Sequence, residues 1–68
     1  MNFQTMAAAR RKQAEAYDLQ AACYRAQAEC ERLQGNEKRA EKYEEFALDY
    51  YANAKSCREM AASWEEFA

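Results

Sequence analysis

The sequence predicts an all-α protein: an antiparallel helical hairpin of two long helices with an Ala/large alternating seam, pairing with a second hairpin into a four-helix bundle dimer. Three observations predict it. First, Ala40, Tyr43, Ala47, Tyr50, Ala54, Cys57, Ala61, Trp64 and Ala68 recur at alternating steps of three and four, which is helical in period. The first half repeats the rule, with Ala7, Ala14, Ala21 and Ala28 alternating with Tyr17 and Tyr24. Second, there is no proline and one glycine, Gly35, near the middle, so both arms can run uninterrupted.

The third observation is that the two seams fit when the chain folds back. With the mirror point between Gly35 and Asn36, residues whose numbers add to 71 face one another. Ala28 then faces Tyr43, Tyr24 faces Ala47, Ala21 faces Tyr50, Tyr17 faces Ala54, Ala14 faces Cys57 and Ala7 faces Trp64. Large meets small along the seam, broken only where Arg10 opposes Ala61 and Glu31 opposes Ala40. Alternating sizes let facing layers interdigitate without voids. A single long helix would also carry alanine heptads, but nothing in it would require this complementarity around the glycine. On the flank, Arg32 is expected to meet Glu41, and Asp18 to meet Lys55; such exposed pairs check the register without setting it.

The first helix is expected over about residues 3–34, with Asn2 or Thr5 as its cap and Phe3 and Met6 as its first apolar turn. From Ala14 to Leu33 it is apolar on a second face as well, formed by Ala16, Leu19, Cys23, Ala26, Cys30 and Leu33. Residues 34–36 make the turn: Gly35 suits the left-handed position that ends a helix, and Asn36 the cap of the next. Glu37 then stands at the positive end of the new dipole. The second helix is expected over about residues 37–67 and also carries a spare stripe, Phe46, Asn53, Met60 and Phe67, at sevenfold spacing.

In an antiparallel pair these spare stripes fall on one side. Leu19, Cys23, Cys30, Phe46, Asn53, Met60 and Phe67 are therefore the candidate partner or dimer interface, with Asn53 the polar group that would fix register. A chain of 68 residues makes one thin domain, burying roughly 60% of its unfolded surface, and a second interface would supply what the hairpin core lacks.

The three cysteines are expected to be free thiols acting as small apolar packing residues. Cys23 and Cys30 are seven residues apart on one helix, about 10 Å along its axis, and Cys57 faces residue 14, further still from both. Net charge is −2, and residues 35–68 carry eight acidic against five basic side chains. That is too mild for a nucleic-acid mimic and too acidic for an obvious basic binding face. The run Arg10, Arg11, Lys12 reads as a solvated face whose stems lie over apolar surface. The sharper reading is a phosphate-binding patch in which these three join Arg25 across two protomers. No apolar run approaches the ~18–20 residues of a membrane span, the start does not read as a secretory signal, and the cytoplasm is the expected compartment.

Nothing in the chain reads as an enzyme. There is no histidine and no glycine-rich phosphate loop, so no cofactor and no metal site are expected. The neighbouring carboxylates Glu44-Glu45 and Glu65-Glu66 point about 100° apart on a helix, and a thiol nucleophile would lack its base.

Gln34-Gly35-Asn36, Ala40 and Ala47-Leu48, with Tyr24 and Ala28 before them, resemble the turn and second helix of a tetratricopeptide repeat. The second helix runs on well past Leu48 with no proline and no second copy, so the likeness is one of hairpin packing. In length, single central turn and alanine heptads the chain is similar to small helical hairpins that pair into four-helix bundles, such as plasmid copy-number RNA-binding proteins. Its vocabulary, as in Gln27-Ala28-Glu29-Cys30-Glu31-Arg32, also resembles early-region accessory proteins of temperate, lambdoid-type phages. Together these imply a non-enzymatic protein-interaction module, a homodimerising regulator or adaptor acting on a host protein, with a nucleic-acid-binding bundle as the alternative. The two would separate by salt dependence.

Overall fold

Valine and isoleucine are absent and Thr5 is the only β-branched residue, so almost no position resists helical backbone at χ1. The computed structural model of the chain describes residues 2–67. It contains two helices, α1 (Phe3–Leu33, 31 residues) and α2 (Glu37–Glu65, 29 residues), packed antiparallel along their length as a rod of 51 × 13 × 12 Å. No strand occurs among the described residues.

Asn2 caps α1, its Oδ1 accepting from the Thr5 N–H at 2.7 Å; Thr5 lies inside the helix. The expected end at residue 34 moves back by one, because Gln34 is the cap residue. Gly35 follows at φ +83°, the left-handed conformation expected of it. Its N–H donates to the Arg32 carbonyl at 3.0 Å, and that of Asn36 to the Glu31 carbonyl at 2.8 Å. This pair of bonds is a Schellman motif, which satisfies two of the carbonyls orphaned at the helix end. The Asn36 side chain does not cap α2 as expected. It turns back so that Nδ2 donates to Glu31 Oε2 at 2.9 Å, a polar contact where the motif more often has an apolar one. α2 stops at Glu65, two residues before its expected end, in a turn through Glu66 and Phe67.

Every alanine of the predicted seam within the described residues is buried: Ala7, Ala14, Ala21 and Ala28 on α1, Ala40, Ala47, Ala54 and Ala61 on α2. Ala68, the last seam position, lies outside the described residues. Among the described residues Cys57 is the one buried residue that is not alanine, and no large side chain is fully buried. Ala14, Ala54 and Cys57 pack together with Tyr17 against them, as a mirror point between Gly35 and Asn36 requires.

The large seam residues divide from the small ones. In an antiparallel pair the two alanine rows fall on one side of the seam and the two tyrosine rows on the other. The rings therefore stack on one another as well as over alanine. Tyr24 lies 6.0 Å from Tyr43, 5.5 Å from Tyr50 and 5.3 Å from Phe46, and Tyr17 lies 5.9 Å from Tyr50. These four tyrosines are all half-buried. The polar intruders are accommodated too. Arg10 lays its guanidinium over Trp64 at 5.6 Å and donates to Gln13 Oε1 at 2.8 Å, while Glu31 holds Asn36 and Arg39.

A candidate protein-interaction face

The two flanks of the rod differ in chemistry. Along one, residues at sevenfold spacing meet in order: Arg11 with Glu65, Asp18 with Arg58, Arg25 with Tyr51 and Arg32 with Glu44. The Arg32–Glu44 distance is 2.8 Å, and Arg32 also reaches Glu37 at 3.3 Å. A hydrogen bond from Arg11 lowers the pKa of Glu65, and the same contact raises that of Arg11. Arg25, Arg32 and Arg58 are raised likewise, chiefly by hydrogen bonds to Tyr51, Glu44 and Asp18.

These partners correct the expected ones: Asp18 takes Arg58 and not Lys55, and Arg32 takes Glu44 and Glu37 and not Glu41. Lys55 and Glu41 lie about 60° further round α2, away from α1. Side chains also lean toward the N-terminus of their own helix. In an antiparallel pair, two residues each set slightly C-terminal of the level where they would face therefore converge.

This row engages two of the four basic residues in the candidate phosphate patch. Arg11 is held by Glu65 and Arg25 stands beside Tyr51, some two heptads apart, while Arg10 covers Trp64 and Lys12 is exposed. Within one chain the four do not come together.

The other flank carries no such row. On α1 it is lined by Met6, Gln13, Gln20 and Gln27, and behind them by Ala9, Ala16, Cys23 and Cys30. No charge occurs at any of these eight positions, in a chain of which 32% is charged. α2 adds Phe46, Asn53, Met60 and Phe67, uncharged and all exposed, with Arg39 at the turn end of the same row and Lys42 and Asp49 behind it. The aromatic column sits between the two helices on this side, with Phe46 reaching from α2 to Tyr24.

The candidate interface residues fall on this flank in parts. Leu19 and Cys23 line a groove of about 390 Å³ with Ala16, Gln20, Tyr24 and Gln27, and Tyr24 joins the groove to Phe46. Leu19 keeps 69% of its surface in water, Phe46 39% and Met60 40%. Phe67 packs on Phe3 at 5.5 Å, at the end of the rod far from the turn. Asn53 and Met60 lie between Phe46 and Phe67 on the same row of α2, and Cys30 is exposed one heptad beyond Cys23.

Two features of the face go beyond the sequence reading. The glutamine row separates the two apolar stripes, and its sevenfold spacing at Gln13, Gln20 and Gln27 is the signal that could have revealed it. The tyrosines belong to the face as much as to the core, which depends on how the two helices are placed. Cys57 is buried, its thiol 3.7 Å from Gln13 Oε1, and all three cysteines are free. No helix is long and apolar enough to cross a membrane among the described residues.

No protein-family model, no curated protein and no solved structure matches the chain.

Proposed function

We propose that this chain is a non-enzymatic protein-interaction module, a small homodimerising regulator or adaptor that uses its glutamine-lined flank as the contact surface. The observation that carries the reading is the inversion of burial. The hairpin buries alanines, each methyl worth about 0.8 kcal/mol, and leaves Leu19 and Phe67 69%, Phe46 39% and Met60 40% open, so each would return the matching share of the ~1.5–3 kcal/mol of full burial. The opposite flank matches Arg11, Asp18 and Arg32 with opposite charges on α2. A twofold dimer, closing as an antiparallel four-helix bundle, covers the spare surface with a copy of itself. The phage-like vocabulary around Gln27–Arg32 supports placing the chain among phage accessory proteins, with a host protein as the target of the dimer.

Sedimentation at micromolar concentration tests the dimer. The native chain should sediment as a dimer with a melting temperature that rises with concentration. Phe46→Glu with Met60→Glu should give a monomer of lower helicity whose melting temperature no longer depends on concentration. A stable, fully helical native monomer would rule out self-association and leave the face to a foreign partner.

A further inference from the structure

The glutamine-lined flank also specifies where its own copy sits. Resting on the dimer reading above, we infer that the twofold axis crosses the rod beside Asn53, at right angles to the helices, so that Asn53 meets the partner's Asn53. Asn53 is the polar member of the row Phe46, Asn53, Met60, Phe67, and it stands level with residue 18, the midpoint of α1.

A carboxamide offers both a donor and an acceptor, so two of them related by a twofold axis satisfy each other reciprocally. Against Leu or Phe the same group would be buried without a partner, at a cost of about 1–3 kcal/mol. Registers that set it against the partner's Phe46, Met60 or Phe67 impose that mismatch. The pairing on this axis fits on both helices. On α2, one heptad either side, Phe46 meets the partner's Met60, and two heptads out Arg39 stands opposite the partner's Phe67, a cation facing a ring. On α1, Gln20 meets the partner's Ala16 and Gln13 meets the partner's Cys23, a long side chain on a small one each time.

The surface is large enough. A face of 51 by 13 Å covers roughly 660 Å² per protomer, or roughly 1,300 Å² for the pair, within the ~1,200–2,000 Å² of stable interfaces. The α1 side of it brings no charge, α2 brings Arg39, Lys42 and Asp49, all on the turn side of Asn53, and the ion-paired flank turns outward to water.

Crosslinking at position 53 tests the axis. Asn53→Cys is made in a Cys23→Ala/Cys30→Ala background, with helicity and sedimentation recorded under reduction. Glutathione disulfide is then added. Two thiols lose two electrons and two protons to form one disulfide, and the oxidant takes them up as two glutathione molecules. The chain should convert to a covalent dimer. Met60→Cys alone should not, since the two Met60 positions would lie about 21 Å apart along the axis. A mixture of Phe46→Cys and Met60→Cys chains should crosslink where neither does alone. A reduced dimer that fails to crosslink at 53, or one in which Met60→Cys pairs with itself, overturns the axis and leaves the dimer standing. A reduced monomer in both the variant and the native chain overturns both.

Discussion

The rings of Tyr24 and Tyr50 lie 5.5 Å apart and within 20° of parallel, across the seam from α1 to α2. Tyr24 also touches Tyr43 and Phe46, so three aromatic rings of α2 meet around one side chain of α1. Aromatic pairs add about 0.5–1.5 kcal/mol each beyond the area they bury. Tyr24→Ala should therefore destabilise the hairpin by about 2–4 kcal/mol in urea titrations, somewhat below a fully buried aromatic. Tyr51→Ala, on the opposite flank, should cost under half as much. Equal losses would mean that the column is not a structural unit.

The alanine rows admit nothing larger. Ala47 is buried in the seam, and Ala47→Leu should overpack it and cost about 1–3 kcal/mol. Ala52→Leu, on the exposed outer face of the same helix, should leave the urea midpoint almost unmoved. A neutral Ala47→Leu would mean that the helices are not in close contact there.

At the turn, a Cβ built on Gly35 meets no atom within 4 Å, so the cost of a side chain comes from the backbone conformation alone. Gly35→Ala should destabilise by about 1–2 kcal/mol, the price of a left-handed residue with a Cβ. Gly35→Asn should cost less, because asparagine tolerates that region. Thermal melts of the two variants give the comparison.

Acid should loosen the open end of the rod. Arg11 lowers the pKa of Glu65 in the folded chain, so Glu65 contributes stability above its unfolded pKa and loses it as pH falls through the lower folded value. Between neutral and strongly acidic pH the melting temperature of the native chain should drop further than that of Glu65→Gln. Parallel curves would show that the Arg11 contact does not survive in solution.

The thiols should divide by burial. In unfolded, unreduced protein all three titrate, as expected of free cysteines. In the folded chain at low concentration Cys23 and Cys30 should react promptly, and Cys57 only at the rate of opening. Prompt reaction of Cys57 would contradict its place beneath Gln13.

The seam, its register and its turn were legible because heptad spacing is carried by sequence order alone. Ala7 through Ala61 needed only counting, and Gly35 needed only its position. What escaped depends on the direction of side chains in space. The lean of Asp18 and Arg58 toward their own N-termini moved the ion pairs by one turn. The capping role given to Asn36 failed because Glu31, one helical turn back, offered its carboxylate first. The tyrosines were read as knobs against alanines, whereas the placement of both rows on one side of the seam also let them stack. The candidate interface was legible as two stripes, but the glutamines between them belong to neither stripe and were passed over.

The Schellman turn at Gly35 also orders the hairpin in time. Tyr24 and Tyr43 are 19 residues apart in sequence, Phe3 and Phe67 are 64 apart. Closing the outer pair first would cost about 1 kcal/mol more in chain entropy than closing the inner one. Once the inner rings have met, every further layer closes only one heptad beyond the last. The chain should zip from the turn outward and open from the other pole, with Phe3 and Phe67 as the clasp that joins last and parts first. Amide exchange should then be fastest toward the two ends of the chain and slow steadily toward the aromatic column.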